Sequence, residues 1–374
     1  MHALTFSGYT AHDIIRDLDV KMATGFQPNV ALVFQAPGQN LMALSQSLDD
    51  RGIQVVGATT SGEIEGATVL EESCVMMAFE LAPDTFASCL FAGEEDMEQK
   101  AQQLGQFATS HFEHPIVFAF ASGIGIDGNS IVRGVQTGAG RDITLFGGMA
   151  ADELQMNATH VFTGKNASDQ GLIGLVLDGN RYEATGLSTS GWQSVGVEKV
   201  VTHSEGNVVH TIDDEPALNV YEQYFEVDGT SVAMDIGVQY PLLITRDNGD
   251  SVIRAPLMTV GDTPSLLFAG GVPQGARVKF CIPPSLEVVE HVVEEASAMQ
   301  NQVPDADALV LISCAARLTA LGPMVEDEVQ GVFDLWNVPM VGFFSYGEIG
   351  PTRSGDCDFH NETCTLVALR EIAN

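Results

Sequence analysis

The chain has 374 residues, of which 50 are acidic and 16 are basic, so its formal net charge at pH 7 is −34. This length suggests two domains, or three, with a large core, and a hydrophobic content of 45% excludes a disordered chain. The charge argues against nucleic acid and anionic membranes as partners, because both require clustered lysine and arginine.

The first ten residues lack the basic segment and apolar run of a signal peptide. The sequence also has no run of about 18 apolar residues, so we expect no membrane insertion. Its six cysteines include no Cys-x-x-Cys pair, which favours buried, reduced thiols and argues against a zinc site. These features together predict a cytoplasmic protein.

An internal repeat organises the chain. In each of three segments an apolar residue precedes a glycine, and a glutamate lies six residues after that glycine. The three segments are Val56–Ile64, Phe146–Leu154 and Val341–Ile349. An apolar, strand-like run precedes each segment and another follows it, and a stretch of helical length lies between the first run and the glycine.

The predicted elements follow in chain order. They are strand 31–34, helix 41–48, strands 74–79, 116–120 and 172–177, extended segments over 181–215, helix 216–225, hairpins over 231–282 with a turn at 247–250, helix 285–300, strand 308–312, helix 325–333 and strand 363–369. Each repeat therefore reads as strand, helix, strand, loop and strand.

This order predicts an α/β fold, in which repeated β–α–β–β units form mixed sheets in two packed domains. The first domain would span 1–225, with units at about 28–93 and 115–180. The second would span 226–374, with β-hairpins and a third unit at 305–371. Because the first two strands of a unit should be parallel, each glycine loop lies at their carboxyl ends, where α/β sheets bind ligands.

Familiar catalytic signatures are absent: the chain has no P-loop, no nucleophile elbow and no His-Glu-x-x-His. The run Gly123–Gly128 predicts a plain glycine turn rather than a dinucleotide site. The third unit, by contrast, concentrates groups that recognise polar small molecules. They are Cys314, Arg317, Tyr346, Glu348, His360 and Asn361.

Two of these groups suggest an amino-acid site. Arg317 follows its strand and could hold a carboxylate, and Glu348 lies in the neighbouring loop and could hold an ammonium group. The alternative is that Arg317 and Glu348 pair with each other and brace the loops. The repeated Glu63 and Glu153 favour a structural role for the glutamate.

His360 has three interpretations: a ligand contact, a haem axial ligand or a residue that braces its loop. His160, which lies between apolar neighbours in a strand-like segment, is an alternative haem ligand. Non-covalent haem sites have no diagnostic spacing, so the sequence leaves these possibilities open.

At these motifs the sequence resembles the FIST domain family of sensory proteins. Val55–Ile64 and Gly147–Asp152 resemble the family's N-terminal part, although Met149 and Ala151 replace its usual serine and glycine. Its C-terminal part is matched by the tracts Ser251–Leu257, Cys314–Arg317, Gly342–Pro351 and His360–Thr363. Through the first of these tracts, the resemblance adds Arg254 to the candidate ligand-binding residues.

The resemblance implies a sensor rather than an enzyme. The leading hypothesis is a stand-alone protein that binds haem b, senses nitric oxide and regulates a histidine kinase or a cyclic-di-GMP enzyme. The alternative is a sensor of an amino acid or a related small metabolite. A less favoured alternative is an enzyme that uses Cys314 or His360 as nucleophile or base.

Overall fold

Three structurally equivalent units make up most of the molecule, in a computed structural model that describes residues 1–225, 237–246, 249–261, 264–283, 285 and 287–372. In the first two units, one strand and one helix precede the elements that the sequence predicts. The first unit comprises β1 (His2–Gly8), α1 (Ala11–Ala23), β2 (Val30–Gln35), α2 (Leu41–Asp49), β3 (Gln54–Thr59), β4 (Glu63–Glu65), β5 (Thr68–Leu70) and β6 (Cys74–Glu80).

The second unit repeats this order. It comprises β7 (Phe86–Phe91), α3 (Met97–His111), β8 (Pro115–Ala121), α4 (Asn129–Ala139), β9 (Thr144–Met149), β10 (Val161–Thr163), β11 (Asn166–Ser168) and β12 (Leu172–Asp178). A glycine in the left-handed conformation, Gly140, ends α4 at a φ of 67°. The mixed α/β class that the sequence predicts is confirmed.

The third unit begins with β13 (Tyr182–Thr189) and is then interrupted by an inserted sheet. The insertion comprises β14 (Gln193–Glu205), β15 (Val208–Ile212), β16 (Glu215–Pro216), α5 (Ala217–Phe225), α6 (Gly237–Gln239), β17 (Leu242–Thr245), β18 (Ser251–Arg254), β19 (Pro256–Val260), β20 (Ser265–Phe268) and β21 (Arg277–Ile282). The predicted hairpin is present as β17 and β18, but residues 247 and 248 of its turn lie outside the described residues.

The unit resumes after the insertion. Its remaining elements are α7 (Val288–Gln300), β22 (Ala308–Cys314), α8 (Ala315–Leu321), α9 (Met324–Trp336), β23 (Met340–Ser345), β24 (Glu348–Pro351), β25 (Cys357–His360) and β26 (Cys364–Glu371). A division at residue 225 would separate β13 from β26, its partner in the same sheet. As a boundary between folding domains, that division stays a prediction.

Each unit completes its sheet with a hairpin from another unit. The sheets have the strand orders β1-β6-β2-β3-β10-β11, β7-β12-β8-β9-β24-β25 and β13-β26-β22-β23-β4-β5. The first unit therefore lends its hairpin to the third, the second to the first, and the third to the second. This cyclic exchange makes the three sheets interdependent.

The inner faces of the three sheets share one core. Phe34, Phe120 and Phe343, one from each unit, meet at its centre with ring centroids 4.4 to 5.8 Å apart. On the outer face of each sheet, helices of the same unit cover a separate apolar cluster. Strands such as β2 and β22 are almost entirely apolar because both of their faces are buried.

The repeated glycine has a steric cause. A Cβ atom at Gly342 would lie 2.0 Å from the carbonyl oxygen of Leu311 on the adjacent strand, and one at Gly57 would lie 2.2 Å from the ring of Phe162. Both positions therefore require the absence of a side chain. Among the described residues, no helix is both long enough and apolar enough to cross a membrane.

Alanine substitutions should rank these steric constraints. We expect Gly342→Ala to lower the midpoint of thermal unfolding most, by several degrees, because the obstructing atom belongs to the backbone and the strain costs about 1–3 kcal/mol. Gly57→Ala should cost less, because the Phe162 ring can rotate. Gly38→Ala, with no atom within 4 Å of the new Cβ, is the control and should change the midpoint little. Equal midpoints for all three variants would contradict this explanation.

Candidate functional site

The carboxyl ends of four strands from two units meet at one cavity of about 80 Å³. The second unit contributes the Gly123–Ile126 turn after β8 and Met149 at the end of β9, and the third contributes residues from the ends of β22 and β23. Gly237, Ala255–Leu257 and Ala269 of the inserted sheet close one side. We call this space the candidate cavity; it lies at the end of the strands where the sequence predicts ligand binding.

Apolar side chains form most of the wall of the candidate cavity, and a few polar groups converge on it. The polar lining residues are Cys314, Ser345, Tyr346, Asn361 and Glu362. Three of them, Cys314, Tyr346 and Asn361, are residues that the sequence predicts. This combination of an apolar wall and few polar groups is typical of small-molecule sites.

Glu362 is the unusual member of this set. Its side chain is 0% exposed, and neither carboxyl oxygen has a hydrogen-bond partner among the residues that the structure describes. Burial raises its pKa well above the usual range, and the neighbouring Glu348 raises it further. The residue also adopts a left-handed backbone conformation with a φ of 58°. A strained residue with an unpartnered, buried carboxyl group on a cavity wall indicates a functional position.

The other polar groups on the wall already have partners. The hydroxyl of Tyr346 donates to the carboxylate of Asp152, and the hydroxyl of Ser345 donates to Glu348 at 2.5 Å. The side-chain oxygen of Asn361 accepts the backbone N–H of Ala255 at 3.4 Å. Glu362 is therefore the lining group with the greatest unused capacity for a ligand.

Cys314 is a neutral thiol in this environment. Burial raises its pKa well above the usual range, and the carboxyl groups of Glu348 and Glu362 add to the effect. An activated thiolate requires the opposite, a positively charged neighbourhood. All six cysteines are free, as the sequence predicts.

Glu348 braces its loop and does not line the candidate cavity. Its carboxylate accepts hydrogen bonds from Ser345, from the hydroxyl of Thr363 at 2.8 Å and from the N–H of Thr363 at 3.3 Å. Glu63 in the first unit repeats this arrangement with Thr60 and with both the hydroxyl and the N–H of Ser73. The carboxylate is thus a shared structural element of the first and third units.

The second unit uses a different residue for the brace. Asp152, one position before Glu153, accepts backbone N–H groups of its loop from Met156, Asn157 and Ala158 at 2.7 to 3.0 Å. The repeat pattern in the sequence aligns Glu153 with Glu63 and Glu348, and the structure shows the brace at Asp152.

Arg317 is fully buried and points away from the candidate cavity. It pairs with Glu328 of α9 and donates to the carbonyl oxygen of Ser190. The sequence-based alternative that Arg317 pairs with Glu348 is therefore wrong, because the partner of Arg317 is Glu328. The hypothesis that Arg317 holds a ligand carboxylate would require it to leave Glu328.

Arg254 joins three parts of the molecule. From the inserted sheet it donates to the side-chain oxygen of Asn129 at 2.9 Å and to the carbonyl oxygen of Phe359 at 3.0 Å. Burial lowers its pKa to about 10. Arg254 does not line the candidate cavity, although it supports the adjacent Ala255.

The two predicted haem ligands lie outside the lining of the candidate cavity. His360 is 6% exposed, its Nε2 lies 3.2 Å from the carbonyl oxygen of Gly350, and burial lowers its pKa to about 4. His160 is half-buried. Haem binding at either residue stays a prediction.

The sequence places Glu362 within the motif His360–Thr363 but does not single it out as a site residue. Its neighbours His360, Asn361 and Thr363 are also polar, and no spacing distinguishes the one group that lacks a partner. The one signal in the sequence is its position just before the last strand, at the edge of the sheet where ligands bind.

The buried carboxyl groups of Glu63 and Glu348 should make the free energy of unfolding depend on pH. Burial raises the pKa of Glu63 to about 7 and that of Glu348 to about 8, so the folded protein holds these protons more tightly than the unfolded chain. Stability is then greatest below the unfolded pKa and is lost as pH rises through 7 to 8. Between pH 5.5 and 8.5, we expect the wild type to lose on the order of 1–3 kcal/mol of unfolding free energy through Glu63. The variant Glu63→Gln should not show this loss.

Thermal unfolding of the variant and the wild type at each pH checks this expectation. Glu113→Gln, at an exposed position, is the matched control and should leave the pH dependence unchanged. If Glu63→Gln and Glu113→Gln follow the same pH dependence as the wild type, Glu63 does not titrate in this range.

Comparison with known proteins gives distant, uncharacterised relatives and a clear family. The chain is 24% identical over 234 residues to the uncharacterized protein Rv0628c of Mycobacterium tuberculosis, and 23% identical over 237 residues to the uncharacterized protein Mb0898c of Mycobacterium bovis. Each match covers 60% of this chain; it covers 60% of Rv0628c and 59% of Mb0898c. The chain thus spans about three fifths of the length of the curated relatives that it matches.

The family assignment covers much more of the chain. Residues 29–215 match the FIST N domain and residues 217–351 match the FIST C domain. The two domains follow each other in this order, and the strand ends that border the candidate cavity come from both. On this evidence, the chain belongs to the FIST family.

Proposed function

We propose that this protein is a sensor of a small ligand that carries an amino group, and that the ligand binds in the candidate cavity against Glu362. FIST domains are associated with ligand sensing in signal transduction. The observation that carries the proposal is the unpartnered, buried carboxyl group of Glu362 on the wall of that cavity.

The chemistry of Glu362 selects a cationic ligand. A buried carboxylate without a partner is costly, so burial raises the pKa of Glu362 and favours the protonated form in the empty site. An ammonium group would stabilise the ionised form and satisfy its oxygens through charge-assisted hydrogen bonds. Binding should therefore release a proton from Glu362.

The candidate cavity has room for a small ligand. Its volume of about 80 Å³ is several times the roughly 10–15 Å³ that one water molecule needs, so small amines and small amino acids can enter it. The apolar wall, with Ile124, Met149 and Leu257, suits a short hydrocarbon portion.

The lining distinguishes a simple amine from an amino acid. No lysine, arginine or histidine lies among the described residues that line the candidate cavity, so the carboxylate of an amino acid would be buried there without a cationic partner. Such a group costs binding free energy. We therefore favour an amine over the amino acid that the sequence suggests, and the test below includes both.

A sensor must transmit ligand binding from the cavity to the surface that a partner protein contacts. Glu362 lies two residues after the end of β25, and in this strand Asp358 contacts Arg246 and Phe359 contacts Arg254 of the inserted sheet. We propose that a ligand on Glu362 shifts the population of conformations of this segment. The partner that reads the shift, a histidine kinase or a cyclic-di-GMP enzyme, remains a prediction based on the resemblance. A cytoplasmic location remains a prediction based on the sequence features described above.

The neutral thiol of Cys314 supports a sensor over a thiol enzyme, because its raised pKa disfavours the nucleophilic thiolate. The hypothesis of haem and nitric oxide has a direct test. A stoichiometric Soret band on addition of haemin, altered by nitric oxide in the reduced protein and by His360→Ala, would support it over the amine.

Calorimetric titration with n-propylamine, ethanolamine, L-alanine and acetate tests the amine proposal. We expect the two amines to bind best, with release of about one proton per ligand in buffers of different ionisation enthalpy. Glu362→Gln should weaken amine binding by about 30-fold or more, because the ligand charge then lacks its counter-charge.

Glu63→Gln is the matched control, because it also replaces a buried glutamate but lies outside the cavity lining. It should leave amine affinity unchanged. Equal affinity of wild type and Glu362→Gln for every amine would refute the proposal. Preferential binding of L-alanine would instead favour the amino-acid hypothesis.

A further inference from the structure

The hairpin formed by β14 and β15 carries two histidines and a glutamate close together. Ligand atoms of His203, Glu205 and His210 all lie within 4.8 Å of one another. The two imidazole rings are stacked, with centroids 4.5 Å apart and an interplanar angle of 29°. These residues belong to the inserted sheet and lie outside the lining of the candidate cavity.

Strand geometry explains the convergence. His203 and Glu205 are two residues apart on β14, so their side chains leave the same face of the strand. On β15 the register shifts: His203 pairs with Thr211 and Ser204 pairs with Val209, which leaves His210 as an extra residue. Such β-bulges redirect a side chain, and here the imidazole of His210 reaches His203.

His210 is also held in one orientation by a neighbouring strand. Its Nδ1 lies 3.0 Å from the hydroxyl of Ser265 on β20. Among the described residues, no hydrogen bond involves the other ring nitrogen, Nε2. A hydrogen bond at one nitrogen that orients the second is the usual arrangement around histidine metal ligands.

We propose that His203, Glu205 and His210 bind a divalent transition-metal ion such as Zn²⁺. Two imidazole nitrogens and one carboxylate oxygen are a common zinc set, with water in the fourth position. Imidazole ligands also favour zinc, copper or nickel over magnesium and calcium.

The geometry needs only a small adjustment. Ligand atoms about 2.0–2.2 Å from one Zn²⁺ ion lie about 3.4 Å apart. The three ligand atoms now lie within 4.8 Å of one another, so they must approach each other by roughly an ångström. The side chains of His203 and Glu205 are 53% and 77% exposed and have room to rotate. The net charge of −34 also attracts cations to the surface.

Calorimetric titration of the full chain, freed of metal by a chelator, with ZnCl₂ tests the proposal. We expect one Zn²⁺ ion per chain and a rise in the midpoint of thermal unfolding. His203→Ala and His210→Ala should each weaken binding by at least tenfold and abolish most of the thermal shift, and Glu205→Gln should have a smaller effect. Unfolding without metal verifies that each variant folds.

The control is His291→Ala. His291 also faces a glutamate, with its Nε2 3.6 Å from Glu295 across one turn of α7, but no third ligand is found there among the described residues. This variant should bind Zn²⁺ like the wild type. Several weak sites per chain, or equal affinity of His203→Ala, His210→Ala and the wild type, would overturn the proposal. Visible absorption of bound Co²⁺ gives an independent measure of the same site.

Discussion

The cyclic exchange of hairpins between units is the constraint on which the rest of the structure depends. A hairpin strand of three or four residues contributes few hydrogen bonds of its own, yet each one extends the sheet of a different unit. Three sheets linked in a ring must face one another, which places Phe34, Phe120 and Phe343 at a common centre. The same linkage brings the strand ends of the second and third units together at the candidate cavity.

Buried carboxyl groups perform two different tasks in this frame. Glu63 and Glu348 each accept three hydrogen bonds, so their burial is compensated within their own loops. Glu362 is equally buried and has no such compensation. Since a missing partner costs a buried polar group about 1–3 kcal/mol or more, the contrast separates a structural glutamate from a ligand-binding one.

Local periodicity was enough to predict the central strands of each unit, because strands buried on both faces are nearly continuous apolar runs. It did not predict β1 and β7, the first strands of the first two units. The exchange itself could not be predicted, because β4 and β10 are three residues long and their partners are distant in sequence. Arg317 shows the same limit for the site: its partner Glu328 lies on a helix of the same unit, and nothing in the spacing favours it over Glu348. Partner choice depends on tertiary packing that a single sequence does not specify.

The inserted sheet is more than an addition to the third unit. Its turn residue Asn207 donates to the carbonyl oxygen of Phe268 at 2.8 Å and approaches that of Gly125, a cavity residue, at 3.4 Å. The hairpin with the histidine cluster therefore adjoins the glycine turn of the candidate cavity.

The exchange also has a consequence for synthesis on the ribosome. Hairpin β4–β5 emerges early, but its partner β23 is made near the carboxyl end of the chain. The third sheet further requires β26, which lies between β13 and β22. Domains usually fold as they emerge, whereas this chain must keep an early strand edge unpaired until β23 has been made. Such an edge invites intermolecular pairing, so nascent and prematurely terminated chains of this protein are natural clients for chaperones that shield open β-strands.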